Sequence, residues 1–172
     1  WDGAGRQLAG IARNLETAGA EVIGLATNTM HIVAEAIARA ISVPFIHIAD
    51  PTSDALLQDG FGTVGLLGTR FTMEMGFYRD RLAERGLQSL IPEIDRTNLN
   101  GIIYEELCRG IVREASRQVY VAAIERLAAR GAEAVILGCT EITMLIDDSD
   151  SPLPVYDTTD LHARALVSAA LQ

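Results

Sequence analysis

Apolar residues fall along this chain in two patterns. Some stand in short unbroken runs, as in Ala134-Val135-Ile136-Leu137, which leads into Gly138-Cys139-Thr140. A run without alternation reads as a strand buried on both faces, as in a parallel sheet. Strands are predicted over Glu21–Ala26, Val43–Ile48, Thr63–Leu67, Gln88–Pro92, the run at 134–137, and Pro154–Tyr156. Between them apolar residues recur at helical spacing. Trp1–Glu16 carries Leu8, Ile11, Ala12 and Leu15 on one face, and Met73–Arg85 carries Met73, Phe77 and Leu82. Further helices are predicted over His31–Ala40, Asp54–Gln58, Thr97–Gly110, Arg113–Arg130 and Leu161–Leu171. Asp50-Pro51-Thr52-Ser53 reads as a turn, Asp59-Gly60-Phe61-Gly62 as a hinge, and Thr143–Ile146 with the acidic 147–150 segment as a solvated loop. Strands alternating with helices predict an α/β fold.

One unit occurs twice. Gly19-Ala20-Glu21 opens the first strand and Gly131-Ala132-Glu133 opens the run at 134–137, 112 positions later. The same offset pairs Thr27 with Cys139. Both lie just past the carboxyl end of a strand, where open α/β sheets place ligands. Two such units can face each other across a cleft and present Thr27 and Cys139 to opposite sides of one molecule. Bland roles also exist. A free Cys is often a small buried hydrophobe, and Thr27, Asn28 and Thr29 can cap the helix that follows them. Capping would also aim backbone N–H groups at the cleft, where they favour a carboxylate.

Thr27-Asn28-Thr29-Met30-His31 and Gly138-Cys139-Thr140-Glu141-Ile142 resemble the paired signatures of the aspartate/glutamate racemase superfamily. The similarity is greatest to the aspartate racemase branch, which includes broad-specificity amino-acid racemases. Gly65–Met73 and Pro154–Thr158 match in kind and order, so the resemblance spans essentially the whole chain. It implies two flavodoxin-like parallel-sheet lobes related by a pseudo-dyad, with the active site in the cleft between them. Lobe one would be 1–59 plus 153–172, and lobe two 60–152. Family members begin with a further strand and a Gly-rich loop that this sequence does not show. The resemblance makes Cys139 and Thr27 the catalytic pair, with Asn28, Thr29, Thr69, Thr140 and Glu141 binding substrate. It puts Arg109 where relatives carry a cation for a side-chain carboxylate, and Arg suits bidentate carboxylate binding. It also implies a homodimer.

Composition narrows the chemistry. The chain has 172 residues, 49% of them hydrophobic, and a net charge of −9. That suits a globular protein with a sizeable core. It carries no basic run, so a nucleic-acid partner is not expected. No apolar run has membrane-spanning length. Two Cys in unlike contexts are not a disulfide scaffold and suggest a reducing, cytoplasmic setting. Cys108, within a helix, reads as buried packing. His31, His47 and His162 are scattered, so no metal site is expected, and His47 reads as a core residue. All 14 basic residues are Arg. Without Lys there is no Schiff-base lysine, so amino-acid chemistry here would run without an organic cofactor. Arg117 reads equally as a functional cation or a solvated one.

Inverting an α-carbon needs a base on one face and an acid on the other. A thiolate suits the first task, and its pKa can be lowered by helix N-termini and hydrogen bonds. Family racemases mostly carry Cys at both positions, whereas here Thr27 holds the first. The expectation is an asymmetric enzyme on aspartate or glutamate, with Cys139 the base for the L form and Thr27 on the opposite face. Alternatives on the same scaffold are a maleate isomerase, an arylmalonate-type decarboxylase or a hydantoin racemase. A non-catalytic amino-acid-binding protein is the alternative from another class.

Overall fold

The computed structural model describes residues 1–171. Helix α1 (Asp2–Thr17) leads to strand β1 (Ile23–Gly24), then a 3₁₀ turn at Thr29–Val33 and α2 (Ala34–Ala38). Strand β2 (Phe45–Ile46) pairs with β1 in a two-stranded parallel sheet, followed by α3 (Ala49–Gln58). The second part contains β3 (Thr63–Gly68), α4 (Arg70–Glu74), α5 (Gly76–Glu84), β4 (Gln88–Leu90), α6 (Arg96–Glu105), α7 (Glu114–Ala129) and β5 (Ala134–Gly138). Strand β6 (Val155–Asp157) and α8 (Thr158–Ala170) complete it. Its sheet has the order β4-β3-β5-β6, all parallel. The fold is α/β with parallel sheets, as the hydrophobic runs predict.

The unbroken runs are explained by burial on both faces. Val64, Leu66, Ala134 and Ile136 pack on one side with Leu56, Tyr78 and Leu82 from α3 and α5. Leu67, Val135 and Leu137 pack on the other with Leu99, Tyr120, Ile124 and Leu127 from α6 and α7. The smaller sheet has a thinner core of Ala12, Ile23 and Ile37. The apolar face of α1 is only partly covered, with Ile11 and Leu15 nearly half exposed.

The repeated unit has a physical basis. Gly19 and Gly131 end α1 and α7 with φ of +99° and +96°, a left-handed conformation open to glycine. In both, the next N–H reaches back across the turn, Ala20 to the Leu15 carbonyl and Ala132 to that of Leu127, each at 3.0 Å. The acids diverge. Glu133 accepts from the N–H groups of Gly62 and Thr63, both at 2.8 Å. The comparable brace in the first unit is Glu16, not Glu21, and it accepts from Ser42 and Val43.

Five expectations need correction. Asp50–Ser53 is not a turn but lies in the first half of α3; Pro51 is tolerated there because the first-turn N–H groups have no helical partner. The predicted helix 73–85 breaks at Met75, which is extended between α4 and α5. Leu145 and Ile146 are fully buried rather than solvated, and Arg117 fixes the loop after them through the Leu145 carbonyl and Asp150. The three histidines converge: His31 lies 4.3 Å from His47 and 6.0 Å from His162 between ring centroids. Strand β6, expected in lobe one with the C-terminal segment, is hydrogen-bonded to β5 in the larger sheet, and α8 beyond it packs on α3 and touches β2 and β5.

Candidate active site

The chain runs from β3 outward to β4 and returns past β3 to β5, so the order reverses between β3 and β5. A ligand cleft forms at the carboxyl ends of strands at such a point. Gly68 and Gly138 are register partners at those ends. A Cβ on Gly138 would lie 2.8 Å from the Leu67 carbonyl oxygen, and one on Gly68 2.8 Å from that of Gly138. Two glycines let the strand ends meet. Thr69 and Cys139, the next residues, emerge side by side.

These ends wall a cavity of about 340 Å³. Thr27, Asn28, Thr29 and Met30 line it from the β1 side, and Thr69, Gly138, Cys139, Thr140 and Glu141 from the larger sheet. Thr27 and Cys139 thus share one cavity across two sheets. Ile103, Tyr104 and Cys108 complete the wall.

Cys139 is buried, and its Sγ donates to Glu141 Oε2 at 3.0 Å. Thr140 Oγ1 donates to the same oxygen at 2.6 Å. Burial pushes the Cys139 thiol well up, and the Glu141 carboxylate adds to the shift. This corrects the expected lowering. The helical turn after Cys139 has only three residues, Ile142–Met144, too short to offset desolvation. Burial also raises the Glu141 carboxyl, but the hydrogen bonds from Cys139 and Thr140 outweigh it and hold it below its ordinary value. The resting pair is a thiol beside a carboxylate.

The Thr27 hydroxyl has no hydrogen-bond partner among the described residues. Its carbonyl accepts from His31 Nδ1 at 2.7 Å, while His31 Nε2 accepts from the Ile48 N–H at 3.1 Å. Both ring nitrogens are used only by the neutral imidazole. Burial, then the facing His47, lowers the His31 pKa to about 3. His31 therefore holds the Thr27 peptide to the α3 entry.

Capping by Asn28 or Thr29 does not occur. Asn28 Nδ2 donates to Thr158 Oγ1 at 3.0 Å, and Asn28 Oδ1 is buried without a partner. Thr29 Oγ1 lies 2.9 Å from Thr69 Oγ1 and 3.5 Å from Thr72 Oγ1. Thr69 also caps α4, accepting from the Thr72 N–H. Three hydroxyls thus join the two sheets at one edge of the cavity.

Two residues are placed differently from expectation. Arg109 does not line the cavity; its exposed guanidinium pairs with Glu105 at 2.5 Å. Cys108 is exposed and lines the cavity instead of packing in the core. Tyr104 had no signal in the pattern beyond its place on α6. Among the described residues, no helix is long and apolar enough to cross a membrane.

Residues 1–166 match the family model for Asp/Glu/hydantoin racemases. The chain is 25% identical over 164 residues to the broad specificity amino-acid racemase RacX of Bacillus subtilis, covering 93% of this chain and 69% of that one. It superposes on the crystal structure of a candidate Asp/Glu racemase from Yersinia pestis with a TM-score of 0.95 and 49% identity, over all of this chain and 76% of that one. An aspartate racemase homologue from Pyrococcus horikoshii matches with a TM-score of 0.90 and 36% identity, again over all of this chain and 76% of the other.

Proposed function

Because this chain belongs to the Asp/Glu/hydantoin racemase family, we propose that it is a cofactor-independent amino-acid racemase acting on aspartate- or glutamate-like substrates. The observation that carries the reading is the single cavity lined by Thr27 from one sheet and Cys139 from the other. The substrate α-carboxylate would lie against the hydroxyls of Thr29 and Thr69, and its ammonium against the free Oδ1 of Asn28. Cys139 must lose its own proton before it can take one from the α-carbon. Glu141 Oε2 already accepts that hydrogen bond, so it is the first acceptor for the proton. The Cys139 thiolate would then abstract the α-proton of the L form. Thr27, or a water it holds, would deliver a proton to the opposite face. The Thr27 hydroxyl lacks an activating base among the described residues, which supports a weak reverse reaction with D substrates. Arg109 follows Cys108 at the cavity wall, and its exposed pair with Glu105 is worth no more than about 1 kcal/mol. A substrate side-chain carboxylate could compete for it. The same proposal keeps two lobes, with β6 joined to the 60–152 sheet rather than to lobe one, and a cytoplasmic homodimer.

The test is α-proton exchange in D2O, followed by NMR on L- and D-aspartate and L- and D-glutamate. Exchange of the L forms that Cys139→Ser abolishes, with D product accumulating, is expected. Exchange without inversion would remove Thr27 from the mechanism. No exchange with any of the four would sink the racemase reading.

A further inference from the structure

Thr158 lies where the chain passes from β6, which is bonded to the larger sheet, into α8, which packs on α3 and touches both sheets. It is fully buried. Its hydroxyl donates to the Leu137 carbonyl at 2.9 Å, and Leu137 lies two residues before Cys139 on β5. A carbonyl can only accept, so the Thr158 proton is committed to it. Toward Asn28, Thr158 Oγ1 can therefore only accept. The Asn28 amide must turn its NH2 group to Thr158, as observed at 3.0 Å. Its Oδ1 is then the buried atom left without a partner, on a residue that lines the cavity. Asn28 is 3% exposed, so this acceptor is desolvated before any ligand arrives. A buried acceptor in that state favours a donor, and a charged donor most.

Resting on the proposed racemase reading, we infer that Thr158 is a positioning residue: it fixes the polarity of the Asn28 amide, ties it to the strand that carries Cys139, and so gives the cavity an acceptor for the substrate ammonium. Without the hydroxyl the amide can turn over and present NH2 to the cavity, repelling the ammonium. The ammonium is held alike in ground and transition states. The effect therefore falls on KM rather than on kcat.

The test compares wild type with Thr158→Val, which keeps the shape and removes the hydroxyl, and with Thr158→Ser, which keeps the hydroxyl. KM and kcat are measured for L-aspartate by α-proton exchange. Inhibition is measured with succinate, which has both carboxylates of aspartate and no ammonium. Thr158→Val is expected to raise KM about tenfold or more, with kcat changed less than about threefold. Succinate inhibition should be unchanged, and Thr158→Ser should restore KM. If the valine variant does not fold, Thr158→Ala carries the same expectation. An unchanged KM overturns the inference, and so does an equal loss for aspartate and succinate, which would mark general damage to the fold. A wild type that binds L-aspartate without exchanging its α-proton would sink the racemase reading alone. The dissociation constants of the same variants would then decide the role of Thr158.

Discussion

The sulfur of Cys139 and the carboxylate of Glu141 meet at 3.0 Å in a partly dehydrated corner. Burial and the carboxylate both favour the protonated thiol. Glu141→Gln removes the charge that helps hold the thiol proton, so the thiol pKa should fall. A thiolate titration at 240 nm, in a Cys108→Ser background, should move to lower pH. Exchange of the L-substrate α-proton should nonetheless slow by about 100-fold or more, because the proton acceptor is gone. A titration that moves upward would contradict the assigned hydrogen bond. At this scale much of the cavity was legible in the sequence. Thr27, Asn28, Thr29, Thr69, Cys139, Thr140 and Glu141 all follow apolar strand runs, and strand ends collect ligands. Met30, Ile103, Tyr104 and Cys108 were not legible as wall residues. The periodicity of α6 shows which face is apolar, but not which strand ends it leans over. Arg109 was read as a substrate cation, yet Glu105, one helical turn back, is its partner here. Asn28 was read both as a cap and as a substrate-binding residue; it does not cap, and its amide bonds Thr158, 130 positions away.

Among the elements, the junction of β3 and β5 is the most constrained. Gly138→Ala would place a Cβ 2.8 Å from the Leu67 carbonyl oxygen, a backbone atom that no side-chain rotation can move aside. The strands must separate at the point where Thr69 and Cys139 emerge. The expected cost is about 1–3 kcal/mol of stability, as for overpacking in a core, together with a large loss of activity. Gly10→Ala serves as the comparison, since nothing lies within 4 Å of its Cβ position on α1. That change should be neutral or stabilising by up to about 1 kcal/mol. Urea unfolding of both variants checks the pair; equal stabilities would mean that the strand ends have slack. The strands themselves were readable because β3 and β5 are apolar on both faces. Their helices were readable from Gly closures such as Gly19 and Gly131. The break at Met75 was not, since Gly76 is its only punctuation and a lone Gly in a helical pattern is tolerated. Nor did the apolar runs show that β1 and β2 would be two residues long.

Across the whole molecule, three histidines distant in sequence form one buried group where β1, β2, α3 and α8 meet. His31 and His47 are in ring contact, and His162 Nε2 bonds the Ile46 carbonyl at 2.8 Å. Asp50 and Arg81, paired through two 2.8 Å hydrogen bonds, are the charges that face His47. Burial lowers the His47 pKa to about 4 and that of His31 to about 3, and it lowers His162 as well. An unfolded chain binds protons at these imidazoles near pH 6.5. The unfolded state therefore holds more protons as pH drops below that value, and the folded state loses stability until its own lower pKa values are reached. By this linkage His47 alone accounts for about 3 kcal/mol between pH 6.5 and 4. Asp50, Glu133 and Glu141 have lowered pKa values as well. Their stabilisation is likewise lost on acidification, but only from about pH 4.5 downward. The window between pH 6.5 and 5 therefore belongs to the imidazoles. The urea midpoint should fall steadily from pH 7 to pH 5, and His47→Gln should flatten that fall. A midpoint that stays level across the window in the wild type would mean that the imidazoles are protonated in the folded protein.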